Sequence, residues 1–235
     1  MANSSYSAFN ALVDIIASPA KAFDGIKSHT SWFWLPLLIS IALASGLLVY
    51  YYSWVDFEWL IEYTLDTQIA PEDRAASEDA VRSFMNPTSS MVTSVLAIVI
   101  ITFLIYLLQA LYFHLANKMT AGADLSYGQW FNFSAWANFV NIFGAIAGFV
   151  VIFMASSNQL PSQDLQVFSM NNLFIHAEPR EPWFTWGSFV HLLILWVIAL
   201  CAIGFARWTG ATIAKSAIIS ALPWVLIYGI WAALI

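Results

Sequence analysis

The chain has 235 residues, of which 60% are hydrophobic and 9% are charged, and its mean hydropathy is +0.73. A soluble domain has roughly 45–50% apolar and about 25% charged residues, so this composition excludes an ordinary water-soluble enzyme or binding domain. The formal net charge of −6 gives no reason to expect nucleic acid as a partner. The single cysteine, Cys201, excludes an intramolecular disulfide.

Five segments are almost free of charged residues, and each is long enough to cross a membrane. A helix rises about 1.5 Å per residue, so roughly 20 residues cross a hydrocarbon core of about 30 Å. Barrel strands are shorter, and a helix satisfies its own backbone groups in lipid. We therefore predict an all-α polytopic membrane protein, with a bundle of five transmembrane helices over 32–235. The predicted spans are 33–55, 91–117, 131–155, 183–206 and 213–235.

Residues 1–31 are predicted to form a cytoplasmic amphipathic tail. Apolar side chains recur at positions i, i+3, i+4 and i+7 of one helical face. They are Phe9, Leu12, Val13 and Ile16. Ser18 and Pro19 predict the start of a second short helix. A helix of this kind before a span usually lies in the headgroup region, with its apolar side buried about 5–10 Å. Packing of this helix against the cytoplasmic ends of the bundle remains the alternative.

The longest polar connection, 56–90, is predicted to be an external helical hairpin. Glu58, Glu62 and Asp66 are spaced by four and share one helical face, and Pro71 marks the start of a second helix. Stacked carboxylates could hold a divalent cation, but no glycine-containing calcium loop is present. We interpret this face as solvated, and we expect neither a metal nor a cofactor.

Polar side chains inside the predicted spans form the candidate functional site. The cluster consists of Gln109, His114, Asn138, Asn141 and His191. Asn138 and Asn141 are three residues apart, so both can face one neighbouring helix. These groups either join helices by hydrogen bonds or line a polar conduit. We favour the first because the central parts of the spans contain no Asp, Glu, Lys or Arg, whereas secondary transporters usually place an ionisable group near the midplane.

Catalytic signatures are missing from the sequence. It contains no HExxH, GxSxG or Walker motif, and the four histidines are scattered over a tail, two spans and a loop. A zinc site needs three or four converging ligands. We therefore expect a protein that is not an enzyme.

The basic residues predict the orientation. With a cytoplasmic N-terminus, five basic residues lie inside and three outside, as the positive-inside rule favours. Those inside are Lys21, Lys27, Lys118, Arg207 and Lys215, and those outside are Arg74, Arg82 and Arg180. An odd number of spans then leaves Ile235 at the external surface.

Three short motifs resemble one family. The tail sequence Ile-Ile-Ala-Ser-Pro-Ala-Lys-Ala-Phe over 15–23, followed by a Trp-rich entry and Pro36, looks like the "SP…F" opening of the bacterial branch of the Yip (Ypt-interacting protein) domain family. The loop over 115–129 is similar to the family's connection between its second and third spans. The segment 215–223 resembles its last span.

This resemblance implies a five-span, non-enzymatic membrane protein with a cytoplasmic N-terminus. Eukaryotic members are associated with Rab-type GTPases, vesicle formation and membrane shaping. This chain lacks their Asp-Leu-Tyr-Gly-Pro element, so no binding residue is carried over. Its short tail and loops fit a bacterial inner-membrane protein.

Two functions follow as hypotheses. The first is a scaffold or adaptor that organises or shapes the membrane, with the lipid bilayer as partner and with self-association or other membrane proteins left open. The alternative is a small transporter or channel that uses the intramembrane polar cluster.

Overall fold

A computed structural model describes residues 6–235 of the chain. Within this range the backbone forms eleven α-helices and no β-strand, which confirms the all-α prediction. In chain order the helices are α1 (Ala8–Ala17), α2 (Pro19–Ile26), α3 (Trp34–Trp54), α4 (Phe57–Thr67), α5 (Arg74–Phe84), α6 (Pro87–Thr120), α7 (Tyr127–Ala137), α8 (Ile142–Met154), α9 (Pro182–Phe189), α10 (Leu193–Thr209) and α11 (Ile213–Leu234). A 3₁₀ turn, Asn138–Asn141, joins α7 to α8.

Among residues 6–235, four helical segments are long and apolar enough to cross a membrane. They are Thr30–Trp54, Pro87–Thr120, Tyr127–Met154 and Ile213–Leu234. Their mean hydropathy lies between 1.9 and 2.7, and in three of them, all except Tyr127–Met154, less than a fifth of the most apolar part is buried in protein. Such large exposed apolar surfaces are expected where lipid covers them. The chain is therefore an integral, multi-pass membrane protein.

The prediction of one continuous helix over 183–206 is wrong. Helix α9 ends at Phe189, and residues 190–192 pair with residues 168–170 through two backbone hydrogen bonds of 2.7 and 2.9 Å. The next helix, α10, has 17 residues, or about 25 Å at 1.5 Å per residue. Hydropathy misses this break because it carries no information about backbone pairing with a distant segment.

The chain divides into two compact units, each with its own core. Unit 1 comprises the described part of Met1–Ile41 together with Ile101–Asn141 and Leu193–Ile230, and unit 2 comprises Ala42–Ile100, Ile142–Leu192 and Trp231–Ile235.

Six of the buried aromatic side chains of unit 1 pack together as one cluster in its core. They are Phe23 of α2, Phe113 of α6, Trp130 and Phe133 of α7, and Phe205 and Trp208 of α10. The centroids of neighbouring rings lie 5.0–6.4 Å apart. Aromatic pairs of this kind contribute about 0.5–1.5 kcal/mol each beyond the area they bury. Because the rings come from four helices, this aromatic cluster ties α2 of the tail to α6, α7 and α10.

Gly204 on α10 makes the close packing of the aromatic cluster possible. A Cβ atom at this position would lie 2.5 Å from Cε2 of Phe133 and 2.7 Å from Cε1 of Phe23. These distances are far below van der Waals contact. The two rings therefore pack directly on the backbone of α10.

Unit 2 has a smaller apolar core. It consists of Leu47, Tyr51 and Val55 of α3, Leu60 of α4, Ala145 and Ile152 of α8, and Leu165. The Tyr51 hydroxyl donates to the Leu160 carbonyl at 2.7 Å. A Cβ at Gly148 would lie 2.7 Å from Cδ2 of Leu47, so this glycine allows α8 to approach α3 closely.

The contact at Gly204 predicts a large effect from a single methyl group. Gly204→Ala should lower the free energy of unfolding by about 1–3 kcal/mol, because two buried rings must move to admit the Cβ. Unfolding of the purified protein in detergent measures this loss.

Gly229→Ala is the matched control, because Gly229 is also helical but has no atom within 4 Å of a built Cβ. We expect no loss of stability from it, since alanine is the better helix former. Equal losses in the two variants would contradict the role assigned to the ring contacts.

Candidate functional site

Three of the five residues predicted to form the polar cluster lie together in unit 1. Gln109 of α6 accepts a hydrogen bond from the side-chain amide of Asn138. Asn138 in turn accepts one from Asn141 at 3.4 Å. The Gln109 amide donates to Sγ of Cys201 on α10 at 3.4 Å. The resulting polar chain links α6, the 3₁₀ turn and α10.

The polar chain lies where the helical backbone is interrupted. Asn138 is buried and begins the 3₁₀ turn between α7 and α8, and its side-chain amide also donates to the Ser134 carbonyl at 2.9 Å. An unpaired amide or carbonyl in hydrocarbon costs several kcal/mol. The side-chain amides of Gln109 and Asn138 donate to neighbouring helices and to the backbone. This arrangement favours the hypothesis that these residues join helices.

Neither histidine takes part in the hydrogen bonds of the polar chain. His114 on α6 has its ring edge toward Tyr127, with centroids 6.3 Å apart. His191 belongs to unit 2, where it forms the backbone bridge with Ser169. Nδ1 of each ring is buried with no hydrogen-bond partner among the described residues. Within unit 1, hydrogen bonds therefore join three of the five predicted residues.

A further polar contact, absent from the predicted cluster, lies at the proline of α11. Pro223 has no backbone N–H, so the carbonyl of Ile219, four residues earlier, has no helical donor. The hydroxyl of Tyr112 on α6 donates to this carbonyl at 2.6 Å. The sequence contained the proline but gave no means of identifying its distant partner.

The tail helix α1 has two different apolar sides. On one side, Ala11 and Ile15 are completely buried. On the other side, Phe9 is 71% exposed, Val13 is 66% exposed and Ile16 is 38% exposed. Leu12, the fourth residue of the predicted face, is partly buried.

The tail helix is fixed to α2 by an ion pair and by an aromatic contact. The Asp14 carboxylate lies 2.9 Å from Nζ of Lys21, and this hydrogen bond holds the pKa of Asp14 below its usual value. The ring of Tyr6 packs directly against Gly25, in space that a side chain would fill. Gly25 therefore provides the surface that Tyr6 contacts. It lies within α2, which continues to Ile26.

The last carbonyl groups of α2 accept hydrogen bonds from side chains of α7 and the end of α10. A helix leaves its final four carbonyls without intrahelical donors. The bonds are Trp208 Nε1 to the Phe23 carbonyl at 2.8 Å, Asn132 Nδ2 to the Ile26 carbonyl at 3.0 Å, and Gln129 Nε2 to the Lys27 carbonyl at 3.0 Å. Together with the Phe23 ring, they dock α2 against the bundle.

The contact between α2 and α10 has hydrogen-bond donors on both sides. Nζ of Lys27 donates to the Trp208 carbonyl at 3.0 Å, near the C-terminus of α10, where a positive charge is favourable. Arg207 of α10 pairs with Asp24 of α2. Gln129 and Asn132 do not belong to the predicted polar cluster. The available signal was their three-residue spacing, which places both amides on one helical face.

The proline contact predicts a coupling between two substitutions. Tyr112→Phe removes the hydroxyl that donates to the Ile219 carbonyl, and it should cost about 0.6–2 kcal/mol, the range of hydrogen bonds within membranes. In a Pro223→Ala background the restored backbone N–H can bond this carbonyl, so the same change should cost much less. A double-mutant cycle of unfolding free energies measures the difference. Equal costs in both backgrounds would disprove the capping role.

The comparisons with known proteins agree with the architecture. The family model of the Yip1 domain matches residues 13–234, from the middle of α1 to the end of α11. No curated protein and no solved structure matches the chain significantly. Proteins of this family are generally non-enzymatic membrane proteins. Because the match covers nearly the whole chain, from the docked tail to the last apolar helix, this protein belongs to the Yip1 domain family.

Proposed function

We propose that this protein is a non-enzymatic scaffold or adaptor that organises or shapes a bacterial inner membrane, with α1 lying in the cytoplasmic headgroup region. The observation that carries the proposal is the exposed apolar side of α1, formed by Phe9, Val13 and Ile16. Moving three such side chains from water into the acyl boundary is worth on the order of 4–8 kcal/mol before ordering costs.

The buried side of α1 distinguishes this helix from a free amphipathic tail. Ala11 and Ile15 face protein, and the Asp14–Lys21 pair links α1 to α2. The docking of α2 then connects α1 to the aromatic cluster. An inserted helix that cannot diffuse away from the spans displaces headgroups at a fixed position beside them. Insertion into one leaflet expands that leaflet relative to the other, which is the physical basis of membrane shaping by such helices.

The polar chain supports a scaffold better than a conduit. Gln109, Asn138 and Asn141 use their amide donors on one another, on Cys201 and on the backbone. Groups that line a water-filled path keep donors and acceptors available to the solute. A membrane-embedded network of this kind holds helices in register instead.

We also propose five membrane crossings with a cytoplasmic N-terminus. The sequence has five apolar segments, and four of them lie in described helices that are long and apolar enough to cross a membrane. This topology leaves five basic residues on the cytoplasmic side and three outside, as the positive-inside rule favours. Helix α10 is the short fifth crossing in this scheme, and a bilayer accommodates a short helix by local thinning.

The membrane-shaping role predicts an effect of charge on the exposed side of α1. Phe9→Asp with Val13→Asp should abolish insertion, because a carboxylate is not stable in the acyl region, and should leave thermal unfolding unchanged. We expect protein reconstituted into liposomes to reduce their mean diameter and the double variant to fail to do so, as measured by electron cryomicroscopy.

Asn10→Asp is the matched control, since it adds a charge on a polar position of the same helix. It should keep the activity of the parent protein. Liposomes of the same diameter with the parent protein and with the double variant would contradict the proposal.

The proposed topology predicts the positions of both termini. A reporter fused after Ile235 should behave as external and one fused before Met1 as cytoplasmic. Two reporters on the same side would mean that α10 does not cross the bilayer and that four spans are present.

A further inference from the structure

Helix α5 is attached to unit 2 differently from its neighbour α4. Helix α4 buries Leu60, Ile61 and Leu65. No residue of α5 is buried, and its largest apolar side chain, Phe84, is 79% exposed. Apolar burial therefore anchors α4 and contributes little to holding α5.

Ion pairs connect α5 to α4. The two arginines of α5 face the acidic side of α4 that was expected to be solvated. Arg74 pairs with Glu62 at 2.7 Å and with Asp66, and Arg82 pairs with Glu58 at 3.2 Å and with Glu62. Glu62 thus accepts both arginines and is the centre of the network.

We propose that α5 is a lid held on the acidic face of α4 by electrostatic attraction, and that it opens reversibly when salt or acid weakens the ion pairs while the core of unit 2 remains folded. Both arginine side chains are about one-third exposed, at 33% and 36%. Attraction between exposed charges is screened within about 10 Å at 0.1 M salt and about 3 Å at 1 M. The open lid exposes the acidic face of α4.

The effect of pH follows from the groups that face Glu62. These are Arg74, Arg82 and Glu78 on α5 and Glu58 and Asp66 on α4. The hydrogen bond from Arg74 and the charge of Arg82 hold the pKa of Glu62 below its ordinary value of 4.5. The ionised Glu62 carboxylate therefore contributes fully to closure of the lid when the pH is above 4.5. This contribution is lost as the pH falls through the lowered pKa that Glu62 has in the closed state.

Amide hydrogen exchange on the full chain in nanodiscs tests the lid. Raising salt from about 50 mM to about 500 mM should make the amides of α5 exchange about tenfold faster relative to their intrinsic rates, with α4 unchanged. Arg74→Gln with Arg82→Gln should give the fast rate already at low salt and remove the salt dependence. Lowering the pH of the parent protein to about 4 should also make the amides of α5 exchange faster relative to their intrinsic rates at that pH, with α4 unchanged.

Arg180→Gln is the matched control, because Arg180 donates to the backbone carbonyl of Ile69. This variant should keep the salt dependence of the parent protein. The proposal is overturned if the exchange of α5 is the same at both salt concentrations. It is equally overturned if α4 and α5 accelerate together, which would show that the hairpin unfolds as one body.

Discussion

Helix α2 ends against other helices, so protein donors must satisfy the carbonyl groups of its last turn. Gln129, Asn132 and Trp208 supply them, and Phe23 completes the contact by entering the aromatic cluster. Because the donors lie on α7 and near the end of α10, the positions of the tail and of these helices depend on one another. The position of α1, which is paired with α2 through Asp14 and Lys21, depends on this docking as well.

The same requirement operates more strictly inside the bilayer, where no water reaches an unpaired backbone group. Two interruptions of helical structure there have side-chain partners. Tyr112 satisfies the carbonyl released by Pro223, and Asn138 bonds the Ser134 carbonyl beside the 3₁₀ turn. Polar residues in these spans therefore maintain irregular backbone and join helices. A sequence rich in such residues does not require a transport path to explain them.

Outside the apolar core the balance of forces differs. In the hairpin of α4 and α5, exposed charges act in a medium of high dielectric constant, so each pair is weak and responds to salt. The aromatic cluster and the hydrogen bonds to the last carbonyl groups of α2 lie in a medium of low dielectric constant. Salt therefore does not weaken them in the same way. The protein thus combines a firmly packed unit 1 with a hairpin whose second helix is weakly attached.

Local patterns were enough to predict much of this protein. Hydropathy and helical spacing are properties of neighbouring residues, so the sequence by itself determined the all-α class and the four long apolar helices found among the described residues. Only the tertiary structure decided the break at 190–192 and the partners of the polar groups. Those contacts join residues far apart in sequence, such as Trp208 and Phe23, which are 185 positions apart. The periodicity of one segment contains no information about which distant carbonyl will accept a hydrogen bond from its side chains.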